Sequence, residues 1–464
     1  MLLTDIAERI GVLGYDNAPP MAKETARLAI LDTVGVTLAG AASEAARRVG
    51  AAFSVATCAG PATLFGGGRQ VNPLSAALLN GVAAHAHDFD DCSNSMGGHP
   101  SAPVLPAIWA LAEARGAGGT ELLSAYIAGV ECETRIARAV NFHHYEKGWH
   151  PTATLGTFGA AAAAVHLLGL GAERTATALS LATSMAAGIK ANFGTMTKPF
   201  HVGQAARNGL SAALMAEAGV TANPGALEHP QGSFSVYDED DVDAEACLRG
   251  WADPLDLVEP GIAFKRHPCC ASTHPAIDAL LVLREMHDLS WDEVEHVRSW
   301  THPRRLRHTD RPDPSSGLDA KFSVQYVLAR ALEKGRLELG DFTDARVAEP
   351  KVRERMARVA AEPHPEADIA STEHFFAEVT VCLRDGSTIS QRVERPLGRD
   401  RDHPLPEGAL ERKFLDCARL ALSETAALAL RDALLSLERV SDLRDLSALL
   451  AGTSNATERK VDRA

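Results

Sequence analysis

The stretch that decides the fold is Ala160-Ala161-Ala162-Ala163-Ala164-Val165, which lies within a helical pattern running from Ala153 to Leu168. Small side chains of high helix propensity predict a helix whose neighbours approach closely, because nothing on its surface holds their axes apart. Working outward, apolar positions at three- and four-residue spacing predict helices over Met21 to Leu38, Pro73 to His87, Ala102 to Arg115, Leu122 to Ala139, Arg174 to Ala187 and Gly203 to Ala218. Gly- and Pro-containing stretches separate them. Gly66-Gly67-Gly68 reads as a plain turn, since no G-K-[ST] follows to make a phosphate cradle. Only 5% of the residues are aromatic, which also favours packed helices over sheets.

After Pro260 the texture changes. Val294 to Trp300 alternates like a strand, and Phe375, Ala377, Val379, Val381 and Leu383 fall on one face of a second strand. The Asp385-Gly386 turn joins this to a third at Ile389 to Val393. Helices are predicted between them at Lys321 to Lys334 and Lys351 to Ala361, and helical spacing returns over Leu410 to Leu420, Glu424 to Leu437 and Ser441 to Leu450. The expected fold class is therefore mainly α. A large all-helical domain over 1–260, completed by 405–452, carries a smaller α+β lid domain over 261–404. Residues 453–464 are polar and read as a disordered tail.

With 46 basic against 60 acidic residues, a formal charge of −14, the chain has no electrostatic footprint for nucleic acid or an anionic membrane surface. No stretch approaches the roughly 18 uninterrupted apolar residues of a membrane span, and the N-terminus lacks a basic segment followed by an apolar run. The expected location is cytoplasmic. The eight cysteines form no C-x-x-C pair, and Cys269-Cys270 are adjacent, so all are expected to be reduced.

Candidate chemistry collects beside prolines and helix starts, where the backbone aims a side chain into a cleft rather than the core. His85-Ala86-His87-Asp88-Phe89-Asp90-Asp91 is read as a helix end on which Asp88 and Cys92 share a face. Asp88 there is a catalytic group or orients a histidine; a metal reading and a plain solvated acidic helix end compete with it. The Gly-containing Ser93 to Gly98 returns the chain to His99, which could face the same cleft or serve only as a turn residue. His150 before Pro151 and His274 before Pro275 sit at predicted helix starts, where the dipole disfavours an imidazolium and leaves a neutral base; each could instead be a polar cap. Lys198 and His201 are read on a loop before the Gly203 helix, where with its first N–H groups they would bind an anion. Lys265 and Arg266 add a second basic group before His274. There is no G-x-S-x-G elbow, so nucleophilic catalysis has little support.

D-F-D-D at 88–91, H-P-S at 99–101, H-P at 150–151, K-P-x-H-x-G at 198–203, F-K-R-x-P at 264–268 and S-T-H at 272–274 stand in an order that resembles the MmgE/PrpD family over nearly the whole chain. The resemblance implies a large helical domain with a smaller α+β lid, a homodimer and no cofactor; activity without a metal is expected because the metal-like cluster at 85–91 lacks ligand spacing. It places catalytic positions on Asp88, His99, His150, Lys198 and His274, with Tyr326 near the site. Cys92, His201, Lys265 and Arg266 complete the set expected to touch substrate. Where the family's decarboxylases carry threonine after D-F-D-D this chain has Cys92, and a thiol is the weaker hydrogen-bond partner.

The expected function is a cofactor-independent lyase, a dehydratase or decarboxylase of a small anionic di- or tricarboxylate such as 2-methylcitrate or cis-aconitate. The alternatives are an epimerase of a dicarboxylate such as iminodisuccinate, and an inactive small-anion-binding protein.

Overall fold

The computed structural model describes residues 1–238, 242–368 and 375–452, so the tail at 453–464 lies outside the described residues. The chain divides into two compact units. One holds Met1–Ala86, Asp90–Phe264 and the chain from Glu407 onward; the other holds His87–Phe89 and Lys265–Pro406.

The first unit is built around the alanine-rich helix, which spans Pro151–Leu167 and is buried from Pro151 through Val165. It packs against helices Ser101–Arg115, Gly119–Val140 and Thr197–Glu217. The close approach that small residues allow is literal. A Cβ added at Gly81 would lie 2.8 Å from the Gly203 Cα, and one at Gly209 would meet the Thr157 carbonyl at 2.8 Å. Helix Pro73–His85 lies against Thr197–Glu217 through this contact. This unit is mainly helical but not entirely so. Ala62–Leu64 pairs antiparallel with Arg69–Val71, and Gly66-Gly67-Gly68 is the turn between them, with positive φ at Gly66 and Gly68. Cys92–Ser93 pairs with Ile262–Ala263. Such short strands fall below what alternation can reveal.

Several helix boundaries move. The Gly203 to Ala218 helix starts earlier, at Thr197, because Pro199 sits in its first turn, where a missing N–H costs no ladder bond. Helix Pro73–His85 stops before His87. The predicted Ser441 to Leu450 helix is a 3₁₀ turn, Leu443–Leu446, followed by a short helix, Ser447–Ala451.

In the second unit, helices His274–His287 and Val324–Lys334 cover a four-stranded sheet. Its central strands are Val294–Thr301 and Ala377–Leu383, antiparallel with Val297 opposite Val381. Thr388–Val393 extends it as the expected hairpin, and Ala377, Val379 and Val381 turn inward as the alternation predicts. One expectation is overturned. The predicted Lys351 to Ala361 helix ends at Met356, and Val359–Pro363 is a strand parallel to Val294–Thr301, with Val359 opposite Val297. Pairing to a sheet edge outweighed a short run of helix formers. No single helix among the described residues is long and apolar enough to cross a membrane, and none of the eight cysteines is in a disulfide.

Candidate active site

His85 is the last residue of its helix, and the chain beyond it is not helical: Asp88 has φ +51 and Cys92 lies in a strand. The expected shared helix face of Asp88 and Cys92 therefore does not exist. The acidic residues of the motif do different work instead. Asp90 accepts from two imidazoles through one oxygen, His85 Nδ1 at 2.7 Å and His99 Nδ1 at 3.1 Å. Asp91 accepts from the Ser101 N–H at 3.3 Å and from the Ser101 hydroxyl, so it caps the next helix.

Burial alone would raise the Asp90 carboxyl, but the His85 and His99 rings beside it hold it well below the usual carboxylate range. For Asp91 the burial wins, and its carboxyl is pushed well above that range. Of the two neighbours, Asp90 is thus the one its surroundings hold toward the ionised form. Its second oxygen, Oδ1, is buried without a hydrogen-bond partner.

Lys198 and His201, three residues apart, lie on one face of the first turns of Thr197–Glu217, not on a loop. The expected anion site at the first N–H groups of a Gly203 helix is absent because Gly203 is inside the helix, and the true start is satisfied internally: Thr197 N–H donates to Thr195 Oγ1 and Lys198 N–H to the Thr195 carbonyl, both at 3.2 Å. The Lys198 ammonium instead donates to His85 Nε2 at 2.8 Å and stands 5.1 Å from the Phe193 ring centre.

His150 is the N-cap of Pro151–Leu167, as its sequence position predicts. Its Nδ1 faces His201 Nδ1 at 3.3 Å, while its Nε2 is buried without a partner. Burial, then the Lys198 charge, depresses His150 well below the ordinary imidazole value, and His201 is lowered for the same reasons. The loop before it is braced. His144 bonds Asp238 at 2.9 Å and Thr154 Oγ1 at 2.7 Å, and Trp149 stacks on the His144 ring. The His99 N–H donates to Thr152 Oγ1 at 3.1 Å, which ties the His99 loop to the His150 helix. Cys92 Sγ is 3.9 Å from His99 Nδ1, a long contact beside the shorter bond to Asp90.

The second unit carries its own cluster. Lys265 Nζ donates to the Asp88 carbonyl at 2.7 Å and lies 3.2 Å from its carboxylate. Asp278 accepts from Arg266 at 2.9 Å, His267 Nε2 at 3.0 Å and the Leu397 N–H at 3.0 Å. His274, the first residue of its helix, points Nε2 at the Cys269 carbonyl 3.3 Å away, so Nε2 carries the proton and Nδ1 is the basic nitrogen. Burial, with the His267 and Lys265 charges behind it, holds His274 well below the ordinary imidazole value. Tyr326 is a fully buried core side chain, with its hydroxyl donating to the Asp341 carbonyl. Burial pushes the Cys269 thiol up to about 12, which rules it out as a ready nucleophile.

The residues that the sequence reading missed are His85 and Asp90. Both belong to the quoted motif, but only through-space partners mark them. With His99 they offer the nitrogen and oxygen donors that a divalent metal uses. Their 2.7 and 3.1 Å spacings to one oxygen are those of N–H donors, and the ammonium beside His85 opposes a second cation.

The model of the MmgE/PrpD N-terminal domain matches residues 4–245, and that of the MmgE/PrpD C-terminal domain matches 267–439. The chain is 32% identical to cis-aconitate decarboxylase of Homo sapiens over 436 residues, covering 92% of this chain and 89% of that one. It is 27% identical to cis-aconitate decarboxylase of Aspergillus terreus over 461 residues, 94% and 93% of the two chains. Against 2-methylcitrate dehydratase of Escherichia coli it is 26% identical over 423 residues, 84% of each.

Proposed function

The chain belongs to the MmgE/PrpD family, and from that premise we propose that it is a lyase of a small tri- or dicarboxylate, working by acid/base chemistry without a cofactor or metal. The observation that carries the reading is His150 Nε2, a buried and unpartnered nitrogen on an imidazole kept neutral, in the same cluster as the Lys198 ammonium. A neutral imidazole takes a proton from carbon, or returns one, near pH 7, and an ammonium binds the neighbouring carboxylate.

In a decarboxylation the C–C bond to the leaving carboxylate breaks, CO₂ departs, and the electron pair left on carbon is protonated by an imidazole N–H. In a dehydration the base takes a proton from carbon, and the hydroxyl leaves as water with a proton from an acid. Lys198 anchors a carboxylate in either case, and His99 and His150 of the same unit serve the proton transfers beside it. Of the two reactions the relatives favour decarboxylation, the more similar named proteins being cis-aconitate decarboxylases. We further propose a homodimer in the cytoplasm, in keeping with the family likeness and with eight cysteines free of disulfides.

Incubation with cis-aconitate, 2-methylcitrate, citrate and iminodisuccinate in D₂O, followed by proton NMR, separates the chemistries. Decarboxylation releases CO₂ and puts one deuterium on the new C–H, dehydration keeps every carbon, and epimerisation exchanges deuterium without loss of mass elsewhere. Turnover of cis-aconitate or 2-methylcitrate, unchanged by a chelator, is the expected result. Folded protein that turns over none of the four, or that needs an added divalent ion, overturns the reading. Light scattering at micromolar concentration is expected to give twice the chain mass.

A further inference from the structure

His150 carries the proposed chemistry, yet its reactive end is not held by a bond of its own. Nε2 is buried without a partner, and Nδ1 meets His201 Nδ1 at 3.3 Å. Where that nitrogen lies is set largely by the backbone it hangs from, and this backbone is fastened on every side. The His150 N–H donates to the Gly188 carbonyl at 3.0 Å. Trp149 lies between two rings, stacked on His144 at 5.9 Å between centres and tilted against Tyr237 at 4.6 Å. Its indole N–H donates to the Tyr237 carbonyl at 3.2 Å. The Tyr237 hydroxyl donates to the Ala186 carbonyl at 2.6 Å, two residues from Gly188, so the chain of bonds closes on itself.

His144 joins these pieces. It is fully buried, with Nδ1 2.9 Å from the Asp238 carboxylate, which only accepts, so Nδ1 carries a hydrogen. Its Nε2 stands 2.7 Å from Thr154 Oγ1, and the same hydroxyl lies 3.3 Å from the His150 carbonyl. One imidazole thus touches the residue before His150, the first turn of the helix after it and, through Asp238, the segment that pins the Trp149 indole.

We propose that His144, anchored by Asp238 and joined to His150 through Thr154 and Trp149, is a positioning residue of the reaction: it fixes the backbone from which the His150 imidazole reaches the reacting carbon. Packing alone would be served as well by apolar side chains, because burying an imidazole and a carboxylate costs desolvation. An apolar cluster lacks direction. Hydrogen bonds at both ring nitrogens fix the ring in rotation as well as in place, and a displacement of about 1 Å in a reacting group costs on the order of 10²-fold in rate.

The kinetic part of the test rests on the lyase reading; the spectroscopic part does not. Valine at 154 keeps the shape of threonine and loses the hydroxyl, and serine keeps the hydroxyl. On whichever polycarboxylate the wild type turns over, T154V is expected to lower kcat by about tenfold with KM within about twofold, and T154S to stay within about threefold in both. In an H150A background T154V should cost nothing further, because a residue that acts through His150 has nothing left to position there. A folded T154V enzyme of wild-type kcat, or an equal loss in both backgrounds, overturns the role. Should T154V not fold, W149F takes its place under the same outcomes, since it keeps the ring stack and loses the indole N–H. Selective ¹⁵N-histidine NMR needs no substrate. T154V or W149F is expected to move the His150 ring resonances together with those of His144, and His150 resonances that stay in place overturn the coupling. Displaced His150 resonances in a protein that turns over no polycarboxylate would sink the lyase reading alone.

Discussion

In the helical unit Asp90 stands between His85 and His99 with no guanidinium bonded to it among the described residues, whereas in the α+β unit Asp278 is shared by His267, Arg266 and the Leu397 N–H. Both carboxylates are buried and both are held below their usual range against the push of burial, but by different means. For Asp278 His267 does most of the lowering and the Arg266 guanidinium adds to it, while the Leu397 N–H ties the same carboxylate to the backbone, which makes it a joint of the fold. For Asp90 the donors are imidazoles, one of which passes its influence on to Lys198. A carboxylate satisfied by rings remains coupled to the protons of those rings; one tied to a guanidinium and the backbone mostly holds structure together.

The sharpest way to break this comparison is at the basic nitrogens themselves. His150→Ala and His274→Ala are each expected to lower kcat by about 10² or more with KM little changed, because a proton-transfer group acts in the transition state. Lys198→Ala should chiefly raise KM, since a carboxylate anchor acts in both states. Steady-state kinetics with melting curves checks this, and a folded His150→Ala enzyme of wild-type kcat removes His150 from the mechanism.

The carboxylates come next. Asp90→Asn is expected to lower kcat/KM by about 10²-fold, whereas Asp278→Asn should cost about 2 kcal/mol of stability and leave kcat within a few-fold. Urea midpoints beside kinetics decide it, and the reverse assignment of effects would erase the contrast.

A smaller effect appears in the pH dependence of stability. His85 is depressed to about 3, and His150 and His274 are depressed well below the imidazole range. The unfolded chain then binds protons that the folded one refuses, so stability is complete above about pH 6.5 and is lost as pH falls toward the folded values. Each such imidazole steepens the loss by about 1.4 kcal/mol per pH unit. Denaturant midpoints at pH 8, 6 and 5 should fall in that order, and H85Q should flatten the decline.

The smallest expected effect lies in the core beside this site. Glu133 is fully buried, both its oxygens lack hydrogen-bond partners, and burial, then the Asp91 charge, raises its carboxyl well above the ordinary value. A raised acid makes the folded state the better proton binder, so its contribution to stability is lost as pH rises above the unfolded value. Glu133→Gln should therefore raise the melting temperature at pH 8, by about 1 kcal/mol in stability, and change little at pH 5.

By itself the sequence determined the helical character of the larger unit, the strand hairpin after Phe375, the helix-start positions of His150 and His274, and the ordered motifs that carry the family likeness. These are local properties, written in propensity, period and the chemistry of proline at a helix start. Lys198 was misplaced onto a loop because Pro199 and Gly203 look like breakers until a first turn and a close helix contact explain them. Only the tertiary structure decided that the Asp90 carboxyl is held low while that of its neighbour Asp91 is pushed up, and that His85 meets a lysine 113 residues away. The reason is physical. Whether a buried group holds its proton depends on which donors and charges reach it through space, and no spacing along the chain records that.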